Sequence, residues 1–326
     1  MNLSEYIYIL LIIITLNSCS KVGNELNSNN MVVKNAVIAH RGMPRHAPEE
    51  TAPSYWLAKK LGADYLEADL QRTKDGVIIC LHDNNLKRTT NIEEVYPKRA
   101  DDPASKFTLA ELKKLDAGSW FNKANPAQAR KSYVGLSIIT LGELIIIAEA
   151  GSSITGLYLE TKNPELFPNI EKDLFEFLTA KDWVDNPAKK LILQTFSIES
   201  LKHLNTYFSN TPKCMLLWNE EEFLMGGVNK EKLQKALSYG KIHGANLVGP
   251  SFTGTKNDYY NLMEEWMISL YHKNNYLIHP YTFDTEADLK YAPVSDGQFT
   301  NRADLLLDYY KRDRKSIEEI LTNLNY

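Results

Sequence analysis

Residues 36–70 read AVIAHRGMPRHAPEETAPSYWLAKKLGADYLEADL, in which a helical run separates two apolar, strand-like runs. The first run, AVIAH, is apolar up to its histidine, as expected of a strand that is buried on both faces. The helical run ends at Gly62, a residue suited to a helix C-cap. A strand, a helix and a strand in this order predict two parallel strands joined by a crossover helix.

The same alternation of strand-like and helical runs continues through the rest of the chain. So many units in 326 residues favour one α/β domain, folded as a (β/α)8 TIM barrel, over an open sheet. No G-x-G-x-x-G motif follows the first strand, which argues against a dinucleotide site. Further strand-like runs occupy residues 63–70, 77–82, 155–162, 190–196, 213–218, 245–250, 276–283 and 296–300, and helical runs occupy residues 108–118, 140–150, 164–180, 197–208, 230–240, 258–274 and 303–312.

Two features predict that this barrel is distorted. The turn TKDG at residues 73–76 is too short for a parallel crossover, which needs about a dozen residues. The runs on either side of it should therefore pair as a hairpin, or one of them is not a full barrel strand. Residues 83–139 hold few long periodic runs, which is typical of a functional insertion, here after the third strand.

The N-terminus differs from the rest of the chain. Residues 7–16 form an apolar run that is too short to span a bilayer and has the length of a signal-peptide core. Cys19 follows in LNSC, which resembles the lipobox of bacterial lipoproteins, where the cysteine is acylated. An ordinary cleaved signal and a buried strand are the alternatives. Residues 20–34, rich in Asn and Ser, predict a flexible tether to a single barrel domain at residues 35–326.

The predicted localisation is therefore the periplasm or cell envelope, with membrane contact through the lipid anchor. The formal net charge of −4, without blocks of Lys and Arg, argues against a nucleic-acid partner. Cys80 and Cys214 lie in apolar runs and are expected to be free thiols in the core. The residues favour no particular oligomeric state.

Charged and imidazole side chains stand at the ends of the first four strand-like runs. The active site of a (β/α)8 barrel lies at the carboxyl ends of its strands, so these groups are expected to converge on one mouth. They are His40 and Arg41 from the first run, Glu67 and Asp69 from the second, His82 from the third, and Glu160 and Lys162 from the fourth.

The carboxylates predict a metal site. Glu67 and Asp69 are two residues apart in a strand, so they share one face, and buried carboxylates that repel each other are costly without a cation. Glu160 can supply a third oxygen donor. A site of oxygen donors suits one divalent cation, Ca²⁺ or Mg²⁺, better than zinc. The alternative is a solvated hairpin face that carries two acidic residues by chance.

The remaining groups suit phosphodiester hydrolysis. Two imidazoles that flank a metal can act as general base and general acid at neutral pH, so His40 and His82 are the predicted catalytic pair. Arg41 offers a planar fork for a phosphate or carboxylate, and Lys162 adds a point charge. Together with a metal, these cations would stabilise charge that develops on a phosphoryl oxygen.

These motifs resemble the glycerophosphodiester phosphodiesterase family over residues 35–312. The resemblance rests on HRGMPRHAPEET, GADYLEADLQRTKDGVIICLHD, YLETK, LIHPYTF and DGQFTNRADLLLDY. The HPYT sequence and the long insertion are closest to the periplasmic bacterial branch. The resemblance implies a distorted barrel related to phosphatidylinositol-specific phospholipase C, with the insertion at residues 83–139 covering the site.

The resemblance also implies the substrates and the residue roles. Substrates would be deacylated phospholipids such as glycerophosphocholine and glycerophosphoethanolamine, cleaved to sn-glycerol 3-phosphate and an alcohol. Attack by the substrate's own 2-hydroxyl and attack by water both fit. His40 and His82 map onto the acid–base pair, Arg41 and Lys162 onto the phosphate contacts, and Glu67, Asp69 and Glu160 onto the metal ligands; Glu49, His46 and Tyr281 are further pocket candidates.

The chain departs from the family pattern at three places, which are expected to affect substrate preference rather than the chemistry. Pro48-Glu49-Glu50-Thr51 replaces the common Pro-Glu-Asn-Thr, Thr300-Asn301-Arg302-Ala303 replaces Thr-Asp-x-Pro, and Tyr281 stands where many members have Trp. Two other functions stay open: lysophospholipase D activity on membrane lysolipids, and non-catalytic binding of glycerophosphodiesters by a lipoprotein.

Overall fold

The computed structural model describes residues 32–218, 223–252 and 261–326. The predicted signal peptide with Cys19, and residues 20–31 of the predicted tether, lie outside the described residues. The strands are β1 Ala36–Ala39, β2 Tyr65–Arg72, β3 Ile78–Cys80, β4 Gly156–Thr161, β5 Leu191–Thr195, β6 Lys213–Leu217, β7 Leu247–Pro250, β8 Leu277–Ile278 and β9 Gly297–Thr300.

The helices lie mainly between consecutive strands. Short 3₁₀ helices occupy Pro97–Arg99, Ala104–Lys106, Pro126–Gln128, Lys131–Tyr133, Pro164–Leu166 and Glu286–Val294. The α-helices are α1 Ala52–Leu61, α2 Ile92–Val95, α3 Leu109–Leu112, α4 Ser119–Ala124, α5 Leu141–Glu149, α6 Ile170–Ala180, α7 Ile198–Tyr207, α8 Lys230–Ile242, α9 Glu265–Lys273, α10 Ala303–Tyr309 and α11 Ile317–Asn323.

The predicted barrel is confirmed. Eight of the strands within the described residues lie in the order β8-β7-β6-β5-β4-β2-β1-β9, and each neighbouring pair is parallel. Hydrogen bonds between the segments that contain β8 and β9 nearly close the ring. The backbone N–H of Asp296 donates to the carbonyl of Ile278 at 2.8 Å, and that of Phe299 donates to Pro280 at 3.2 Å.

The predicted hairpin distorts one side of the barrel. Strand β3 pairs antiparallel with β2, with Leu70 opposite Cys80 and Arg72 opposite Ile78. Gly76 in the connecting turn has a φ of +85°, a conformation that glycine adopts without a steric penalty. Strand β3 is therefore not a stave of the barrel, and the parallel ring continues from β2 directly to β4.

Alternation along β2 divides its side chains between two environments. Leu66 and Leu70 belong to the large apolar cluster between the strands and the helices, whereas Tyr65 belongs to a smaller cluster with Tyr158 and Phe299. The Tyr65 and Tyr158 rings meet edge-on, with centroids 5.8 Å apart. Because side chains two residues apart in a strand share a face, the face that carries Tyr65 also carries the acidic residues further along β2.

Several predicted elements are shorter than expected, and the helix predicted over residues 108–118 is only α3, Leu109–Leu112. The helix predicted over residues 164–180 starts only at Ile170, since Asn169 before it has a φ of +66°. The strand predicted over residues 276–283 shrinks to β8, two residues before Pro280, which has no N–H to donate to a ladder. The strand predicted over residues 77–82 ends at Cys80, so His82 lies in the loop beyond it.

The segment of residues 83–139 has its own small hydrophobic core. It holds α2, α3 and α4, and its buried side chains pack under β3 in a cluster that includes Leu86, Ile92 and Phe107. The predicted cap of α3 is confirmed, because Thr108 and Glu111 form a reciprocal capping box. Cys80 and Cys214 are both buried and carry free thiols. In the described part of the chain, no helix combines the length and the apolar character that a membrane span requires.

The N-terminal cap of α5 should contribute measurably to stability. Thr140 Oγ1 accepts from the Glu143 N–H at 3.1 Å, and Glu143 Oε2 accepts from the Thr140 N–H at 2.7 Å. We expect Thr140→Ala to lower the free energy of unfolding by about 1 kcal/mol in urea denaturation, because the Glu143 N–H loses its side-chain acceptor. Thr206→Ala, at an exposed site within α7, is the matched control. Equal stability of the two variants would contradict this account of the cap.

Candidate active site and metal centre

Three buried carboxylates meet at the carboxyl end of two adjacent strands. Glu67 and Asp69 lie in β2 and Glu160 lies in β4, and the register sets Asp69 opposite Glu160. Each side chain offers an oxygen atom within 4.8 Å of the other two. Their residues are only 1%, 1% and 5% exposed, so little water screens their mutual repulsion.

The electrostatics of this cluster indicate a shortage of positive charge. Burial and the charge of Asp69 raise the pKa of Glu67 well above its usual value, and burial raises that of Glu160 to about 8. Asp69 Oδ2 is buried and accepts no hydrogen bond from the described residues. Three oxygen donors with an excess of negative charge fit a divalent cation such as Ca²⁺ or Mg²⁺.

Asp69 is the carboxylate that the protein itself keeps ionised. Burial opposes its charge, but Lys162, His82 and Arg41 together hold the pKa of Asp69 below its usual value. Lys162 Nζ lies 3.5 Å from Asp69 Oδ1 and 3.1 Å from Glu160 Oε1. Lys162 therefore offsets part of the negative charge of both strands while it also lines the cleft.

Arg41 connects the first loop to the carboxylates. It follows β1 in a left-handed conformation, with a φ of +55°. Its backbone N–H donates to Glu67 Oε2 at 2.7 Å, and its Nη1 donates to Glu49 Oε1 at 3.2 Å. Its Nε lies 3.1 Å from Asp69 Oδ2. The guanidinium thus lies at the edge of the carboxylate cluster and on the wall of the cleft.

The two predicted catalytic histidines line the same cleft as the carboxylates. His40 follows β1, and its backbone N–H donates to the Thr300 carbonyl at 3.0 Å. His82 lies two residues beyond β3, in a loop whose carbonyl groups accept from the buried Gln71 Nε2. Burial lowers the pKa of His40 to about 3, so its ring is neutral at pH 7 in the metal-free protein, and burial also lowers the pKa of His82, although Asp69 and Asp83 act in the opposite direction there.

The Nδ1 atoms of the two histidines have different partners. His40 Nδ1 lies 2.8 Å from Asn301 Oδ1, and His82 Nδ1 lies 2.7 Å from Asp83 Oδ1. Because neither oxygen can donate a proton when Asp83 is ionised, Nδ1 is the donor in both rings. In each ring, Nε2 is then the nitrogen that can accept a proton from a substrate.

Arg88 links the loop that carries His82 and Asp83 to the loop after β1 that carries Glu49. Its Nε and Nη2 donate to the two carboxylate oxygens of Asp83 at 2.7 and 2.9 Å. Its Nη1 and Nη2 also donate to Glu49 Oε2 and Oε1 at 2.8 and 2.7 Å. This pairing, together with the hydrogen bond of His82, holds the pKa of Asp83 below its usual value against the effect of burial.

Two further buried polar groups support the carboxylates from behind. Glu50 Oε1 accepts from the Asp69 backbone N–H at 2.7 Å, and Gln194 Nε2 donates to Glu67 Oε1 at 3.0 Å. Burial and the nearby Asp69 raise the pKa of Glu50 well above its usual value. Local sequence patterns do not predict a site role for Glu50, Gln194, Asp83, Arg88 or Asn301.

The three further pocket candidates have different positions. Glu49 and Tyr281 line the cleft, and the Tyr281 hydroxyl donates to the Leu217 carbonyl at 3.0 Å. His46 is not part of the described lining. Its Nε2 lies 3.5 Å from Asp304 Oδ1, which ties the first loop to the start of α10.

The chain is similar in sequence to known proteins over most of its length. The model of the Glycerophosphoryl diester phosphodiesterase family matches residues 40–305, a range that includes all the candidate catalytic, phosphate-binding and metal-binding residues. A glycerophosphodiester phosphodiesterase of Bacillus subtilis (strain 168) is 34% identical over 294 residues, which cover 88% of this chain and 89% of that protein.

Solved structures share the fold. A phosphodiesterase of Oleispira antarctica, in complex with the product sn-glycerol-3-phosphate, matches with a TM-score of 0.66 and 24% identity, over 85% of this chain and 97% of that chain. A glycerophosphodiester phosphodiesterase of Agrobacterium tumefaciens str. C58 matches with a TM-score of 0.60 and 23% identity, over 84% of this chain and 99% of that chain.

A divalent cation should stabilise the protein through the three carboxylates. Ligand at about 100 times its dissociation constant adds about 2.7 kcal/mol, so saturating Ca²⁺ or Mg²⁺ should raise the Tm of EDTA-treated protein by roughly 5 °C or more. Glu67→Gln and Glu160→Gln should each remove most of this rise in a thermal-shift titration. Glu176→Gln, an exposed change in α6, should leave it intact. A wild-type Tm that responds to neither cation would contradict the assignment.

Proposed function

The chain belongs to the glycerophosphodiester phosphodiesterase family, and on that premise we propose that it hydrolyses deacylated phospholipids with the help of one divalent cation. The products would be sn-glycerol 3-phosphate and the head-group alcohol, and glycerophosphocholine and glycerophosphoethanolamine are the proposed substrates. The observation that carries this proposal is the single cleft that holds a buried carboxylate trio, two cations and two imidazoles. The product in the Oleispira antarctica structure supports the same substrate class.

The proposed roles follow from the charges around the cleft. Glu67, Asp69 and Glu160 would hold the cation, which supplies Lewis-acid stabilisation of a phosphoryl oxygen when bound. Arg41 and Lys162 would bind the phosphate, because both cations lie beside the carboxylates and face the cleft. Their positive charge would stabilise the negative charge that develops on the phosphoryl group.

We assign the general base to His40 and the general acid to His82. His40 is neutral, and its Nε2 can take a proton from the attacking hydroxyl, which belongs to the substrate's glycerol or to water. The attacking oxygen forms a bond to phosphorus while the bond to the alcohol oxygen breaks, and where the glycerol hydroxyl attacks, water would open the resulting cyclic phosphate to glycerol 3-phosphate. His82 would act as the acid in its imidazolium form, which the Asp83 carboxylate at Nδ1 stabilises; it would give its Nε2 proton to the leaving oxygen and return to the neutral form.

Activity assays with purified protein test this function. We expect release of glycerol 3-phosphate from glycerophosphocholine in Ca²⁺ or Mg²⁺, no release in EDTA, and at least about 100-fold lower kcat in His40→Ala and His82→Ala, because each loses a proton-transfer group. His203→Ala, exposed in α7, is the control. With a p-nitrophenyl leaving group, which needs no protonation, the His82→Ala defect should shrink and the His40→Ala defect should remain.

The same assay separates the alternative functions. Full activity of either catalytic variant would refute the proposed mechanism. Turnover of lysophosphatidylcholine in preference to glycerophosphocholine would identify a lysophospholipase D. Tight binding of glycerophosphocholine without turnover, in either cation, would identify a binding protein.

We further propose that the enzyme is exported and anchored as a lipoprotein of the cell envelope, as in the periplasmic branch of the family. The support is the apolar run at residues 7–16 and the lipobox-like Cys19, both outside the described residues. The tether at residues 20–34 would let the barrel reach soluble substrates from the membrane surface.

Metabolic labelling tests the anchor. We expect the full chain, expressed in a bacterium, to incorporate radioactive palmitate and to fractionate with membranes, because acylation supplies a hydrophobic anchor. Cys19→Ser should abolish both, whereas Cys214→Ala, at a cysteine within the barrel, should retain the label. Unlabelled wild-type protein would leave export without lipidation as the explanation of the apolar run.

A further inference from the structure

The partner of His40 is held in one orientation by a second carboxylate. Asn301 Oδ1 contacts His40 Nδ1 at 2.8 Å, while Asn301 Nδ2 donates to Asp284 Oδ2 at 2.7 Å. The Asn301 backbone N–H also donates to Asp284 Oδ1, at 3.0 Å. A carboxylate can only accept hydrogen bonds, so the amide must turn its NH₂ group towards Asp284 and its oxygen towards His40.

Asp284 is itself fixed to the end of the barrel. Its backbone N–H donates to Asp288 Oδ2 at 3.0 Å, and the neighbouring Phe283 N–H donates to the Phe299 carbonyl at 2.7 Å. Thr300 Oγ1 donates to the Phe283 carbonyl at 2.5 Å. The loop after β8 is therefore bound to the end of β9, next to Asn301. If the Asn301 amide rotated, its oxygen would face the Asp284 carboxylate. Its NH₂ group would face His40 Nδ1, the ring nitrogen that donates to the amide oxygen in the structure.

We propose that Asn301, oriented by Asp284, is a positioning residue that fixes the neutral His40 ring in the tautomer protonated on Nδ1, with Nε2 free to act as the general base. An amide oxygen accepts a hydrogen bond from the Nδ1–H group without adding a full negative charge beside the ring. A carboxylate at the same place would stabilise the imidazolium, which cannot accept a proton. The catalytic role of this contact rests on the proposed function, whereas the tautomer of His40 does not depend on that function.

The wider surroundings of His40 leave this role to Asn301. The charged or titratable groups that act on its ring are Arg41, Asp69 and His82, with Asp284 beyond the amide. Burial and Arg41 oppose a charge on the ring and outweigh Asp69, which favours it, so the ring holds one proton at pH 7. The group at Nδ1 then decides which nitrogen carries that proton and which remains unprotonated.

The contrast with His82 shows what the choice of partner does. His82 Nδ1 faces the carboxylate of Asp83, which Arg88 holds with two hydrogen bonds. One imidazole thus has an anionic partner and the other has a neutral partner, although both line one cleft. The sequence departure at Asn301 therefore bears on the chemistry, and the expectation that it affects only substrate preference gives way to this proposal.

Nitrogen NMR on ¹⁵N-histidine-labelled protein tests the tautomer without any assay of activity. His40→Gln identifies the signals of His40 by their loss. In wild-type protein near pH 7.5, we expect a protonated Nδ1 and an unprotonated Nε2 for this ring, and in Asn301→Ala we expect a mixture of tautomers. A wild-type His40 with its proton on Nε2 would overturn the proposal, whatever the enzyme turns over.

A charge exchange tests the catalytic role. Asn301→Ala, Asn301→Asp and Asp284→Asn should each lower kcat for glycerophosphocholine by about 10- to 100-fold, with KM changed by less than about threefold, because they release or misorient the ring. Asn301→Asp brings two carboxylates together, and Asp284→Asn leaves one of two donors of Asn301 without an acceptor. The double variant Asn301→Asp/Asp284→Asn restores the hydrogen bonds that join residues 40, 301 and 284, with the charge exchanged between positions 301 and 284.

The double variant should recover to within about tenfold of the wild-type kcat at high pH. The acid limb of its kcat/KM profile should move to higher pH by about one unit or more, because a carboxylate at Nδ1 raises the pKa of the ring. If the kcat of the double variant recovered while the acid limb of its kcat/KM profile did not move, the contact would be only structural and the proposal would be overturned. A kcat of Asn301→Ala within about threefold of wild type, or a folded double variant no more active than the single variants, would also overturn it.

Two controls keep the outcomes separate. Asn186→Ala removes an amide that also donates to a carboxylate, that of Asp182, at a loop outside the cleft, and it should leave kcat unchanged. Metal-induced thermal shifts should persist in all the Asn301 and Asp284 variants, because neither residue belongs to the carboxylate trio. Wild-type protein with metal binding but no turnover would refute the proposed function, and the NMR result would still decide the tautomer.

Discussion

Mutual repulsion among three buried carboxylates is the constraint on which the site depends. Glu67, Asp69 and Glu160 bring oxygen atoms within 4.8 Å of one another at nearly complete burial, where charge is weakly screened. Lys162 and Arg41 lie within 3.5 Å of the trio, and their positive charges offset part of this repulsion. The compensation keeps Asp69 ionised but leaves the pKa of Glu160 raised to about 8, an excess of negative charge that a bound cation would offset.

The barrel satisfies this constraint by geometry that the strands impose. Parallel register sets β2 beside β4, and alternation within β2 turns two acids to the same face. The left-handed turn at Arg41 lets one residue donate its backbone N–H to Glu67 and still direct its guanidinium to Asp69 and Glu49. Because β3 runs antiparallel to β2, the chain reverses its direction directly after β2. His82 therefore lies in the same cleft as the site residues of β1 and β2.

Sequence reasoning reached the barrel, the hairpin and the groups at the strand ends because each rests on local periodicity or on a short motif. It missed contacts between residues that are distant in sequence. Asn301 lies 261 positions from His40, and Arg88 joins Glu49 across 39 positions, so no local pattern connects them. Glu50 lay within a quoted motif, but its role follows from a hydrogen bond to the Asp69 backbone that only the folded loop reveals. Element ends were wrong where Pro280 and the left-handed Asn169 cut a periodic run short.

The two histidines show how one cleft can divide proton transfer between chemically identical rings. Both are half-buried and both donate from Nδ1, so neither exposure class nor tautomer distinguishes them. The distinction comes from the groups behind them: a carboxylate clamped by Arg88 behind His82, and an amide clamped by Asp284 behind His40. In each pair an ionised group holds the partner still, but only at His82 does the negative charge adjoin the ring. A ring next to that charge holds its second proton more readily than a ring next to an amide, which suits the proposed assignment of His82 as the acid and His40 as the base.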